Sequence, residues 1–166
     1  MNDHIDPSAA VKMTVRGLVM DPTSNSPVVI LENDDGNTFL PIWIGVCEAN
    51  SIALELEGVE TPRPMTHDLI QSLIETTGLE VDHVFIHTLD DSVFIASIQL
   101  RDAQAATHQI DSRPSDAIAL ALRAKADVLV DPSVLERAVM SEATVDETIR
   151  SILEKMRPED MGEYEM

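Results

Sequence analysis

The chain has 166 residues, 44% of them hydrophobic and 25% charged, which suits one domain with a real core and excludes a disordered or collagenous polymer. Thirty acidic against eleven basic residues leave a formal net charge of −19, a surface that repels long polyanions because neutralised phosphates supply most nucleic-acid affinity. The single cysteine, Cys47, excludes an internal disulfide and is compatible with a reducing cytoplasm.

Residues 1–10 read as a frayed polar arm, with no basic segment leading into an apolar one and hence no secretory signal. The next stretch, Val11 to Met20, partly alternates and predicts a strand. After a Pro/Ser/Asn loop, Val28-Val29-Ile30-Leu31 predicts a buried strand, and Asn33-Asp34-Asp35-Gly36-Asn37 a hairpin turn with Gly36 at positive φ. A third strand returns over Thr38 to Ile44, and Pro41 places it at an edge or a bulge. Gly45 ends it. Val46 to Glu57 has a helical period closed by Gly58, and Thr66 offers an N-cap hydroxyl for a helix reaching Thr77. Three further strands follow over Val81–Leu89, Val93–Arg101 and Ala106–Ile110. The last runs into a polar elbow and a second helix, so both halves read strand, strand, strand, helix, as a duplicated unit would. Val128-Leu129-Val130 is extended, and helices are expected over Ser133–Met140 and Thr144–Met156. No apolar run approaches the roughly 18 residues of a membrane span. The fold class expected is α+β: two antiparallel three-strand meanders, each followed by a helix, with C-terminal helices. Residues 11–135 would form the domain and 136–166 an acidic helical extension.

The elbow, Gln109 to Asp116, organises the rest. Proline disfavours a helical residue before it, so Arg113 should be extended, with Pro114 at the first helical position and Asp116 in the first turn. Ala117 to Leu122 is apolar without a break, which predicts burial on several sides, in a core or against another subunit. A homo-oligomer is the expectation drawn from that helix. An acid in a first turn is ordinarily a cap, and Arg113 ordinarily its ion-pair partner.

Ile110-Asp111-Ser112-Arg113-Pro114-Ser115-Asp116-Ala117-Ile118-Ala119-Leu120 closely resembles a motif of the bifunctional nuclease family. Leu40-Pro41-Ile42-Trp43-Ile44-Gly45, with Glu48-Ala49, and Pro62-Arg63-Pro64-Met65-Thr66-His67-Asp68-Leu69 match it in the same order. The resemblance spans Val11 to Leu135 and implies an α+β domain acting on RNA and DNA, without supplying a catalytic set.

Phosphodiester hydrolysis needs an activated water, charge stabilisation at phosphorus and help for the leaving oxygen. The residues able to supply these sit at three junctions: Glu48, then His67 with Asp68, then Asp111 with Arg113 and Asp116. Arg63 adds a second guanidinium. On that reading Glu48, Asp111 and Asp116 act as bases or metal ligands, with Asp111 and Asp116 sharing a divalent ion. Arg63 and Arg113 clamp phosphate, and His67 is an acid. Asp68 completes the catalytic set. His83, His87 and His108 read as strand residues, the first two exposed, and Trp43 as core or interface. The competing class is a non-catalytic, acidic, homo-oligomeric module for a small ligand or protein partner, with the elbow purely structural.

Overall fold

A computed structural model describes residues 9–142. The expectations for residues 1–8 and 143–166, including the helix over Thr144–Met156, fall outside them. The elements are β1 (Val11–Asp21), β2 (Ser26–Asn33), β3 (Phe39–Trp43), α1 (Val46–Leu56), α2 (Thr66–Thr76), β4 (Leu79–Asp90), β5 (Val93–Asp102), β6 (Thr107–Ser112), α3 (Pro114–Ala124), β7 (Asp127–Val130) and α4 (Pro132–Glu142). The protein is thus of mixed α+β class.

All seven strands form one sheet, in the order β3-β2-β1-β7-β4-β5-β6. The short stretch over 127–130 is therefore central: β7 runs antiparallel to β1 and parallel to β4, and joins the two halves of the sheet. Every other pairing is antiparallel. Pro41 sits in β3, an edge strand that among the described residues pairs with β2 alone, where a missing N–H costs no ladder bond. Gly36 takes φ of 67° in the β2–β3 turn, as its lack of a Cβ allows.

Alternation along the strands explains the two faces. Val29, Leu31, Val84, Ile86, Ala96 and Ile98 point into one core shared with Ile118 and Leu120 of α3. Val28 and Ile30, which alternate with these, are equally buried, so β2 reads as a continuous apolar run rather than an alternating one. Helix α3 lies over β4 and β5 and touches both α1 and α2. Its residues from Ala117 to Ala121 are at most 1% exposed. Its all-round apolar surface is therefore covered within the chain and does not require a second subunit.

Two smaller expectations change. His83 and His87 are half-buried rather than exposed, and burial lowers the His87 pKa despite Asp111 and Asp131 nearby. Trp43 is not core: it lies at the surface with its indole Nε1 donating to Asp21 Oδ2 at 3.0 Å. The Ser24 hydroxyl and that indole are the main reasons Asp21 is held down to about 2.

Leu120 is 1% exposed in the shared core, so Leu120→Ala should lower unfolding free energy by roughly 2–5 kcal/mol. The check is a denaturant titration, in which the midpoint falls while the slope is unchanged.

Candidate functional site: three converging helix starts

Three helices begin in the same way. Gly45, Met65 and Arg113 precede α1, α2 and α3 in extended conformation, with ψ of 157°, 176° and 146°. Each helix then carries an acid at its third position: Glu48, Asp68 and Asp116. A carboxylate there complements the free N–H groups and the positive end of the helix. Thr66, expected as a cap, is instead the first residue of α2. The capping bond runs from the Met65 backbone N–H to Asp68 Oδ2 at 2.8 Å.

The packing of α3 against α1 and α2 brings these acids together around two guanidiniums. Arg113 donates from Nη2 to Glu48 Oε1 at 2.8 Å and from Nε to Asp116 Oδ2 at 2.7 Å. The other Asp116 oxygen, Oδ1, lies 3.1 Å from His67 Nε2, and His67 Nδ1 lies 2.8 Å from Ser51 Oγ. An ionised carboxylate only accepts, so Nε2 carries the hydrogen; in the neutral ring Nδ1 then accepts from the Ser51 hydroxyl. On the far side of Ser51, Arg123 donates from Nη2 to the Ser51 carbonyl at 3.3 Å and from Nη1 to the Ala119 carbonyl at 2.9 Å. Its Nε donates to Asp68 Oδ1 at 2.5 Å. One polar chain thus runs from Glu48 through Arg113, Asp116, His67 and Ser51 to Arg123 and Asp68.

Exposure divides that chain into a face and a back. The Arg113 side chain is 66% exposed, whereas that of Arg123 is 6% exposed. His67 and Ser51 are buried. Burial, the largest single influence on Asp116, would raise its pKa, but the hydrogen bonds from Arg113 and His67 together outweigh it and hold the carboxyl below the usual range. The Arg123 hydrogen bond does the same for Asp68, against burial. Arg113 is raised in turn, chiefly by its hydrogen bond to Asp116.

Of the residues singled out in the sequence, Glu48, His67, Asp68, Arg113 and Asp116 meet. Asp111 does not join them. Ser112 pairs with Ala96, which lies in the core under the helices, so Asp111, opposite Ser97, points to the other face of the sheet. Arg63 also stays outside the chain, exposed on the α1–α2 connection and lining a cavity. Three participants escaped the sequence reading. Ser51 is the one polar residue among the buried positions of α1, beside Ala49 and Ile52. Arg123 sits seven residues, or about two turns, after Asp116 on α3. Gly45 leaves the space into which Glu48 folds: a Cβ on Gly45 would collide with Glu48 Oε2.

These donors do not fit a divalent ion as they stand. Both Asp116 oxygens are engaged, one by Arg113 and the other by His67, Arg113 occupies Glu48 Oε1, and Asp68 is bound by Arg123 and the Met65 N–H. Asp111 and Asp116, the expected metal pair, face opposite sides of the sheet. Among the described residues, no group of three or more His, Cys, Asp or Glu side chains is arranged to hold a metal.

A profile of the bifunctional nuclease domain matches residues 29–143, a span that contains the entire polar chain. The chain belongs to the bifunctional nuclease domain family. Two uncharacterized proteins of Mycobacterium tuberculosis, from strains CDC 1551 / Oshkosh and ATCC 25618 / H37Rv, are each 40% identical to it over 127 residues, covering 76% of this chain and 75% of theirs. A rice protein (Oryza sativa subsp. japonica) named Bifunctional nuclease 2 is 28% identical over 122 residues, which cover 72% of this chain and 38% of the rice protein. In this bifunctional nuclease domain no described helix is long and apolar enough to cross a membrane.

Two outcomes follow from the polar chain. His67→Ala leaves Asp116 Oδ1 and Ser51 Oγ without their partner and should cost roughly 1–3 kcal/mol in a denaturant titration. The lowered Asp116 carboxyl stabilises the fold above its unfolded pKa, and that contribution is lost as pH falls through the lower folded value. The stability gap between wild type and Asp116→Asn should therefore narrow as pH falls below the unfolded aspartate value of 3.8 in titrations at a series of pH values. A gap that stays constant would contradict the assigned charge state.

Proposed function

We propose that this domain hydrolyses phosphodiester bonds at the Glu48–Arg113–Asp116 face, on nucleic-acid substrates. The observation that carries the reading is the Arg113 guanidinium: it is the solvent-facing cation of the cluster, yet two carboxylates aim it from a fixed helix start. A phosphoryl group reaching it would find a planar donor matched to its oxygens. In a molecule of net charge −19, an exposed guanidinium whose partners can be displaced is one place where an anion can approach.

The same geometry supplies a base. A phosphate that engages Arg113 takes donors away from Asp116, which leaves burial less opposed and raises the carboxyl's affinity for a proton. Asp116 then accepts a proton from the attacking water while its Oδ1 stays held by His67. His67 has both ring nitrogens engaged inside the network, so its role here is positioning. Glu48 orients Arg113. The leaving oxygen takes its proton from solvent. Arg123 and Asp68 fix the two helices behind the site. The family relationship, including the rice relative named Bifunctional nuclease 2, supports the same reaction class.

One feature favours a second reading, in which the domain is a non-catalytic binding module. Every acid of the cluster already has a guanidinium partner, which is how a purely structural ion network would look.

Hydrolysis of a fluorogenic oligonucleotide by purified protein separates the two. Arg113→Ala and Asp116→Asn, each shown to be folded by circular dichroism, should lose about a hundredfold or more in rate. Folded variants that cut at the wild-type rate would leave the structural reading. Gly45→Ala is a subtler probe: its Cβ displaces the end of the flexible Glu48 side chain, so stability should change by less than about 1 kcal/mol while the rate falls.

A further inference from the structure

Beside the cluster lies an open, mainly polar cleft of about 370 Å³, walled by the end of α1, the α1–α2 connection, the start of α2 and Arg123 of α3. Its size is at the low end for small-molecule sites and suits one compact ligand. Leu54, Val59, Pro64 and Met65 give it an apolar wall, and Arg63 stands at its edge. Its floor is the Asp68–Arg123 pair, and Asp68 directly follows His67 in α2, so the cavity and the proposed reaction face are two sides of one helix start. Along α3, Arg123 lies about 10 Å from Asp116.

The distribution of cations limits what can reach this place. Among the described residues Lys12, Arg16, Arg101, Arg113 and Arg123 are all ion-paired. Arg63, Lys125 and Arg137 have no ion pair with another described residue, and the described cations form no continuous track for a long backbone. Nor do the described residues present a row of exposed aromatics interleaved with bases, as binders of long single strands use. Glu55 and Glu60 also line the cavity; they can accept from sugar hydroxyls or exocyclic amines, and they repel additional phosphates.

We infer that this cavity is the subsite for one terminal nucleotide of a short oligonucleotide, its base against the Leu54–Val59–Pro64–Met65 wall and its phosphate on Arg63. The substrates of the domain are then short phosphodiesters rather than long polymers. This rests on the phosphodiesterase reading for the substrate assignment, while the binding of a nucleotide stands on the cavity itself.

Two measurements on the full chain test it. Titration with a 5′-mononucleotide, followed calorimetrically, should show binding that weakens about tenfold in Arg63→Ala and in Val59→Glu. Val59 is an exposed loop residue, so the second substitution reports on the wall without touching the core. The second measurement compares kcat/KM per scissile bond for a 5′-phosphorylated dinucleotide, which carries one phosphate for Arg63 and one scissile phosphodiester, and for a 5′-phosphorylated oligomer of about twenty nucleotides, with the dinucleotide expected to lead about tenfold. Mononucleotide binding that neither substitution alters, or an oligomer cut as well as the dinucleotide, overturns the inference and leaves the reaction class standing. Nucleotide binding that depends on Arg63, with neither substrate hydrolysed, supports the cavity assignment and sinks the reaction class instead.

Discussion

Two arginines on one helix hold three helix starts together. Arg113 and Arg123, at opposite ends of α3, bind Glu48 of α1, Asp116 of α3 and Asp68 of α2. Each of those acids occupies the third position of its helix, where it already faces free N–H groups. The guanidiniums therefore act on carboxylates whose charge is favoured locally, and they balance that charge at the point where the helices meet. Losing one arginine would leave acids crowded together in a partly buried place, a larger penalty than losing an exposed pair.

The apolar side of α3 makes this convergence possible. Three of the five fully buried residues of α3 (Ala117, Ala119 and Ala121) are alanines, short enough for α1, α2 and the sheet to approach the helix, and Ile118 and Leu120 join the same core. Ser51 and His67 then bridge the two helices across α3 at a depth where an unpartnered polar group would cost more than it contributes. Each hydrogen of this bridge has an acceptor, and its direction follows from the acceptor-only Asp116. The polar chain is thus a consequence of close helix packing, and the same packing leaves Arg113 at its outer end.

Much of this was legible in the sequence because short-range rules govern it. Pro114 at the first helical position, Asp116 in the first turn, Gly36 at positive φ and Pro41 on an edge strand all follow from backbone sterics or helix-end electrostatics. The meeting of Glu48 with Arg113 was foreseeable only through the likeness of the two halves, since 65 residues of chain separate them. What could not be read depended on tertiary placement. The apolar run of α3 is compatible with a core or with a subunit interface, and periodicity does not distinguish the two. Asp111 is turned away from the helices by the alternation along β6 that sends Ser112 toward them, whereas Arg113, two residues on, lies past the strand end at the start of α3. Arg123 was hidden for a similar reason: a basic residue in a last helical turn is ordinary, and only the position of α2 turns it into the partner of Asp68.

Charge is the remaining tension, and the local geometry resolves it in a specific way. A net of −19 would defeat a protein that binds nucleic acid by neutralising many phosphates. It does not defeat one that engages a single phosphate, because the relevant field is that of the nearest few groups, screened from the rest beyond roughly 8 Å at physiological salt. Around Arg113 those nearest groups are two carboxylates that orient the guanidinium and more than cancel its charge. An arriving phosphate must therefore compete with Asp116 and Glu48 for N–H donors that are already aligned. The competition costs affinity, but it is also what frees a carboxylate beside the bound phosphate, so weak ground-state binding and the appearance of a base are the same event.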